Sequence, residues 1–506
     1  MAPKMLSCCC EKEGLVRRAK SQKHPDARRA RLARWTALIV LILLATALRA
    51  GYLVIAPRDM QFHHVDAQGY HWLAVNLLER GVFSMNTEPP FRPDNVRAPL
   101  YPLFVAFWYA IGGPDPQVVA FAHVLVDALT VVVLYRLGKS VADERVGMVA
   151  AALYAVNPSS WRFCNELLTE ILFGLLLTTA VWMFARYIMN GRTGDAWRCG
   201  VCFGLAILCK PNVQFLPLAL VALLAHNLYS GRRRAWQGML ILVGTILLML
   251  SPWVVRNRVI FGEWFYTRTF DDNLAHVSAV ATLAQVRGER VAPWSPRWEE
   301  LYDEIIVRTA QRYDWPVLDD SEVTAQQRDV RLQQLKSVSI EIVREHPVDF
   351  VWSHTRAWLW SLVPQEHRFW YTRLTGVPWT SIPTEGDALG RALRAVAAGK
   401  VGAAIWIIVD ERLLALPPLA LILWIGWGVG YVVAAVFFGV GAWRLRPRIL
   451  SLFIMATIFY VTFVPGPISQ IRFRLPVTPL ILLLVAVGVL VQRRHEAGAE
   501  AGRATS

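Results

Sequence analysis

The sequence predicts an all-α, polytopic membrane protein, and three observations carry that prediction. Hydrophobic residues make up 55% of the 506 and charged residues only 18%, where a soluble domain carries about 25% charged. A single soluble core stops growing at roughly 250–300 residues, so a chain this long and apolar needs several cores or a lipid solvent. Apolar runs near the ~20 residues that cross a ~30 Å hydrocarbon layer recur from Trp35 to the C-terminus. Together these exclude a soluble enzyme, a secreted disulfide scaffold and a disordered chain.

Residues 1–34 are basic, with Arg17, Arg18, Lys20, Lys23, Arg28, Arg29, Arg31 and Arg34, and read as a cytoplasmic tail beside anionic lipid. Residues 35–57 form the first span, too long for a cleaved signal. An outer loop, 58–116, follows. It holds a helix over 70–80 closed by Gly81, and an apolar stretch at 99–111 too short to span. Further spans are expected at 118–137, 147–156, 167–189, 197–209, 213–229, 236–255, 416–442, 449–464 and 475–491, roughly ten in all on the length rule. Region 256–414 is rich in Trp, Pro and charge and has no clear span. Its aromatic stretch 350–362 suits an interfacial helix. The organisation is then a tail (1–34), a transmembrane catalytic module (35–255), an extracytoplasmic region (256–414), C-terminal helices (415–492) and a second tail (493–506).

Loop charge sets the orientation. With the N-terminal tail inside, every inside connection is basic: Arg136, Lys139 and Arg145; Arg186, Arg192 and Arg198; Arg232 to Arg234; Arg444, Arg446 and Arg448; Arg493 and Arg494. That is the positive-inside pattern. The net charge of +15 therefore reads as membrane-surface and phosphate-holding charge, with no nucleic acid implied. Of seven cysteines, three stand together as Cys8-Cys9-Cys10. Cys199-x-x-Cys202 has redox spacing but lies in an apolar helix without a partner pair.

Asp66, in the run His63-His64-Val65-Asp66, has two readings. A carboxylate at the membrane surface suits a general base, and Asp before a helix suits an N-cap. His63, His64 and Asp66 match no known metal-ligand spacing. Arg97, Lys210, Arg256, Arg472 and Arg474 lie at outer ends of spans or in outer loops. Each alone reads as a phosphate contact or as a side chain snorkelling to headgroups. Five outside cations run against the positive-inside rule and favour phosphate. Glu166 and Glu170 are four apart and are expected on one helix face, with Glu170 deeper along the span and a candidate partner for Lys210. Asp127, inside the second span, reads as structural. Asp271-Asp272-Asn273-Leu274 reads as a turn.

Several segments resemble membrane glycosyltransferases of the GT-C fold. In order they are Asp66-Ala67-x-x-Tyr70-x-x-Leu73-Ala74 with Arg97-Ala98-Pro99-Leu100-Tyr101-Pro102; Asn165-Glu166-Leu167-Leu168-Thr169-Glu170; Leu208-Cys209-Lys210-Pro211; Pro252-Trp253-x-x-Arg256-Asn257; and Arg472-Phe473-Arg474-Leu475-Pro476. The pattern is similar to the bacterial family 39 type, which includes ArnT and the RgtA/B/C/D-like enzymes, and more distantly to protein O-mannosyltransferases. Ala98 departs from it, since many relatives carry a second Pro or a Lys directly before Pro.

The resemblance implies transfer of a sugar, with inversion, from a polyprenyl-phosphate carrier to an acceptor outside the membrane, in a bacterial inner membrane. It implies that Asp66 is the catalytic carboxylate. Arg97, Lys210, Arg256, Arg472 and Arg474 would hold the donor phosphate, and Tyr70, Tyr101, Glu166, Glu170 and Asn257 would support the site or the acceptor. No cofactor or metal is predicted. The acceptor is left open among lipopolysaccharide or another glycolipid, a polysaccharide and a protein. The rival readings are an O-antigen ligase or polymerase acting on a lipid pyrophosphate, and a polytopic transporter or flippase.

Overall fold

The computed structural model describes residues 6–62, 64–218, 220–221, 234–315, 323–363, 365–378, 391–392, 395–396, 398–408, 416–468 and 470–490. Among these every regular element is a helix. Helix α1 (Leu6–Ile55) runs from the basic tail into the first span without a break. α2 (Val65–Arg80) and α3 (Leu100–Gly112) follow, then α4 (Pro116–Val141), α5 (Glu144–Ala155), α6 (Pro158–Cys164), α7 (Glu170–Asn190), α8 (Thr193–Cys209) and α9 (Arg234–Phe261).

Among the described residues, six helices are long and apolar enough to cross a membrane: Leu32–Ile55, Pro116–Val141, Glu170–Asn190, Trp236–Phe261, Pro418–Arg444 and Ile471–Leu490. The chain is a multi-pass integral membrane protein. The expected spans at 147–156, 197–209 and 449–464 are helices of 12, 17 and 16 residues. Most of the expected span 213–229 lies outside the described residues. The spans at the centre of the bundle are Pro116–Val141, Glu170–Asn190 and Ile471–Leu490, 61–72% buried over their most apolar stretch. Pro418–Arg444, at 6% buried, presents nearly all of its apolar surface outward, as a helix facing lipid does.

Local chemistry explains the helix ends. Asp115, Asp143 and Asn157 each accept a backbone N–H at the start of α4, α5 and α6, which satisfies a donor the first turn leaves over. Gly81 ends α2 in the left-handed region, φ 67°, a conformation costly for a residue with a Cβ. α4 and α5 touch backbone to backbone: a Cβ on Gly138 would lie 2.5 Å from Gly147 Cα. Small residues are what allow such an approach between membrane helices.

The Asp127 carboxylate is held inside the bundle. Arg49 of α1 donates to it from Nε, and Tyr154 Oη donates at 2.5 Å. Arg49 and Asp127 are both fully buried. Arg49 also donates to Ala155 O at 2.8 Å, Ala45 O at 2.9 Å and Ser160 Oγ at 2.8 Å. The pair thus locks α1, α4, α5 and α6 together, which gives Asp127 the structural place read from its sequence.

The region after α9 has a small core of its own. α10 (Thr269–Asn273) runs into a π-helical turn (Leu274–Ala279) and α11 (Val280–Val286), followed by α12 (Pro296–Arg312), α13 (Ala325–Glu345), α14 (Pro347–Leu362) and α15 (Glu366–Thr375). Trp298, Leu301 and Ile305 of α12 pack on Leu335, Val338 and Ile342 of α13 and on Ala275, Val277 and Val280. The turn expected at 271–274 is therefore helix instead. Asp271 is drawn into it by Lys336 at 2.8 Å and Arg268 at 3.5 Å. Arg268 in turn grips Asp329 through two bonds of 2.8 and 2.9 Å. Asn95 Nδ2 donates to the same carboxylate at 2.6 Å, so this region is fastened to the loop before Arg97. The chain then continues through α16 (Val401–Ile408), α17 (Pro418–Arg444), α18 (Arg448–Phe463) and α19 (Ile471–Leu490), the last tightened to 3-10 geometry at Leu475–Val477.

Candidate active site

Asp66 is the second residue of α2, not its N-cap. The N-cap position belongs to His64, which makes no side-chain cap. The carboxylate turns away from its own helix and accepts from Arg97 Nη2 on Oδ1 at 2.7 Å and from Arg472 Nη2 on Oδ2 at 2.6 Å. The cap reading therefore fails, because two guanidiniums outcompete a backbone N–H for a carboxylate.

Each cation is placed by local structure. Asp94 Oδ2 accepts the backbone N–H groups of Val96 (3.1 Å) and Arg97 (2.6 Å), an Asx turn that aims Arg97 at α2. Lys210 ends α8 in an extended conformation, φ −141°, directly before Pro211, because a residue preceding Pro avoids the helical region. Its ammonium donates to Glu170 Oε1 at 2.8 Å. Arg472, in the first turn of α19, spans both carboxylates, with Nε 3.6 Å from Glu170. The result is a chain of alternating charge, Arg97–Asp66–Arg472–Glu170–Lys210, drawn from five parts of the sequence. It carries one net positive charge, and Asp66 keeps 24% side-chain exposure.

Burial would raise the Asp66 carboxyl, but Arg97 and Arg472, with Lys210 behind them, hold it well below the usual carboxylate range. Burial would lower the Arg97 guanidinium, and Asp66 with Tyr70 and Asp94 raises it above its ordinary value. Tyr70 lies one turn beyond Asp66, its ring 5.8 Å from the Arg97 guanidinium carbon and edge-on to Tyr101 at 4.8 Å. Burial pushes the Tyr70 hydroxyl above its ordinary value. Tyr101 is fully buried and shares a hydrogen bond of 3.2 Å with His123.

The other candidates stand further out. Glu166 and Glu170 do not share a helix face, because residues 165–169 form a turn between α6 and α7 and the helix begins at Glu170. Glu170 thus sits at the end of its span rather than deeper along it, where the positive end of the helix dipole suits a carboxylate. Glu166 pairs instead with Arg162 at 2.8 Å and His64 at 3.2 Å. His64 and Asp66 therefore face different partners, and His63 lies outside the described residues. Among the described residues no three His, Cys, Asp or Glu side chains converge in a way that would hold a metal. Cys199 and Cys202 are free thiols.

Arg256 donates to Asp94 O at 2.8 Å and Asn257 Oδ1 at 2.8 Å, bracing the Arg97 loop from behind. Asn257 Nδ2 donates to Tyr266 O at 2.7 Å and so fixes the chain leaving α9. Arg474 points elsewhere: it donates to Glu366 at 2.7 Å, to Ser361 O at 3.0 Å and to the Tyr431 hydroxyl. Of the five cations read from the sequence, three gather at the carboxylate pair and two do not. Asp94 and Glu366 were not singled out by the sequence reading. The Asp94-Asn95-Val96 turn signature was a usable signal for the first, and Glu366, alone in an aromatic stretch, offered none.

Residues 96–255 match the family model of dolichyl-phosphate-mannose-protein mannosyltransferases. The matched segment runs from the Arg97 loop into α9, and so includes Glu170, Lys210 and the Arg97 half of the Asp66 clamp. No curated protein sequence matches the chain. Among solved structures, the chain is similar to AglB, the oligosaccharyltransferase of Archaeoglobus fulgidus, in complex with an inhibitory peptide and a dolichol-phosphate. The TM-score is 0.48 at 12% identity, over 94% of this chain and 52% of that one. An oligosaccharyltransferase of Archaeoglobus fulgidus in complex with zinc and sulfate overlaps at a TM-score of 0.46, 12% identity, 93% of this chain and 51% of that one. ArnT from Cupriavidus metallidurans bound to undecaprenyl phosphate overlaps at 0.40 and 13% identity, over 89% of this chain and 77% of that one. The chain spans about half the length of the archaeal enzymes it matches.

Proposed function

We propose that this protein is a glycosyltransferase that moves a sugar from a polyprenyl-phosphate carrier to an acceptor at the outer face of the membrane, inverting the anomeric carbon. The observation that carries the reading is the clamp on Asp66. A partly exposed carboxylate is held by two guanidiniums, with a lysine and a second carboxylate beside it, at the ends of membrane helices. The match of residues 96–255 to a family named for a lipid-phosphate sugar donor supports it.

The charges balance through the reaction. The acceptor O–H gives its proton to Asp66 while its oxygen bonds to the anomeric carbon. The carbon–oxygen bond to phosphate breaks, and its electron pair leaves with the phosphate. Asp66 goes from charged to neutral as the phosphate gains a charge. Arg97 and Arg472 can then shift from the carboxylate to the leaving group without a change in total charge. This accounts for a base that is depressed before the sugar donor binds: a phosphate competing for the two guanidiniums restores its basicity. Lys210 adds a point charge, and Glu170 keeps Lys210 and Arg472 in place.

Transfer of radiolabelled sugar from a defined polyprenyl-phosphate sugar in proteoliposomes tests the reading. Asp66→Asn keeps the size and loses the base, so transfer should fall by about 10²–10⁴-fold. Binding of the sugar donor should hold or tighten, because both guanidiniums are freed. Asp66→Glu should keep a residue of activity. Near-normal transfer by the Asn variant would defeat the assignment of Asp66. Absence of any transfer by the unaltered protein, with a lipid pyrophosphate as the working substrate, would favour the ligase reading.

A further inference from the structure

The geometry points to an acceptor-binding site for a glycan, formed by Trp294, His276, Tyr302 and Asp272 of the outer region beside Asp66. This inference rests on the transferase reading and names the class of its acceptor.

The π-helical turn and α10 are fixed against the Arg97 loop. Arg268 N–H donates to Asn95 O at 2.8 Å, and Thr269 Oγ1 donates to Val96 O. Asp271 is turned to Arg268 and Lys336, while the next carboxylate, Asp272, lies within electrostatic reach of Arg97, His276 and Asp66. No hydrogen bond to the Asp272 carboxylate is present among the described residues, and the residue is half-buried. Burial pushes its carboxyl above the ordinary range, with Arg97 and His276 pulling the other way. Asp272 is used by no part of the proposed mechanism.

His276 lies four residues on. Its ring stacks on Tyr302 at 4.0 Å, shares a bond of 3.2 Å with Glu299, and meets the Trp294 ring at 4.8 Å in a T-shaped contact. Trp294 is the strained member. It holds φ +63° and is 48% exposed. A bulky residue in the left-handed region is uncommon, and strain of that kind gathers at ligand-holding positions.

A half-exposed indole, an imidazole–phenol stack and an uncommitted carboxylate are groups of the kind that bind sugars. Aromatic faces cover the apolar C–H faces of a pyranose, and a carboxylate or carboxylic acid bonds its hydroxyls. Asp272, within electrostatic reach of both Asp66 and His276, would join the base to the stacking surface at Trp294.

Calorimetry on the full-length protein in detergent, titrated with short oligosaccharides released from the envelope of the source cell, tests this. Saturable binding is expected, at least tenfold weaker in Asp272→Asn and in Trp294→Gly. Glycine accepts φ +63° without strain, so the second variant should keep the thermal unfolding temperature while losing affinity. Trp294→Phe should recover part of the binding. Absence of saturable oligosaccharide binding, or equal affinity in both variants, would overturn the inference, as would a peptide binding in place of the sugar. Oligosaccharide binding that is intact and variant-sensitive, with no transfer from a polyprenyl-phosphate sugar, would support this site while counting against the reading of the sugar donor.

Discussion

Arg472 and Arg474 are two residues apart and serve different networks. One residue of helix turns about 100°, so side chains two apart point about 200° from each other. Arg472 faces Asp66 and Glu170, and Arg474 faces Glu366, Ser361 and Tyr431. Their alanine variants should therefore separate. Arg472→Ala should raise the apparent KM for the sugar donor or abolish transfer, since each charge-assisted bond lost costs about 1.5–3 kcal/mol, and the fold should persist. Lys at 472 should rescue in part, because an ammonium cannot bridge two carboxylates as a fork does. Arg474→Ala should instead lower the thermal unfolding temperature, because it leaves the buried Glu366 carboxylate without its cation. Kinetics together with unfolding in detergent reads both. An Arg474→Ala protein of normal stability and raised KM would return Arg474 to the phosphate site.

At the scale of elements, the Arg49–Asp127 pair is a polar lock between the first span and the helices packed on it. It joins α1 to α4 and, through the Ala155 carbonyl and Ser160 hydroxyl, to α5 and α6. Both side chains are fully buried, and a buried ion pair is weak evidence of net stabilisation but strong evidence of mutual dependence. Asp127→Leu or Arg49→Met alone should destabilise by about 3–5 kcal/mol, each stranding a buried charge. The double substitution should recover much of that loss. Thermal unfolding of the three variants forms the cycle. Additive losses would show that the two residues do not act as a pair.

At the scale of the molecule, the candidate site and the outer region lie on one side of the bundle. The adjoining ends of α4 and α5 carry Arg136, Lys139 and Arg145, and those of α7 and α8 carry Arg192 and Arg198. From the positive-inside rule we propose that those connections face the cytoplasm and the site faces outside. A Cys placed at Ala292, exposed in the outer region, should react with an impermeant thiol reagent in intact cells. A Cys placed at Thr193, exposed at the start of α8, should stay protected until the membrane is opened. The reverse pattern would invert the molecule and put the proposed transfer on the cytoplasmic side.

Hydropathy and composition alone determine that this chain is helical and lies in a membrane, because a ~30 Å hydrocarbon layer demands ~20 apolar residues whatever the tertiary contacts are. The ionisable residues Asp66, Arg97, Glu170, Lys210 and Arg472 were legible as candidates, Asp66 from its resemblance to GT-C segments, the cations because outside cations run against the positive-inside rule, and Glu170 because an intramembrane carboxylate is costly. Their arrangement was not legible. Which carboxylate meets which cation depends on residues 31 to 406 apart in sequence meeting at one point, and no local period encodes that. The break of the helix at residues 165–169, the diversion of Arg474 to Glu366 and the pairing of Arg49 with Asp127 were decided in the same way. Each follows from the packing of distant helices, which alone determines where a buried charge finds its partner.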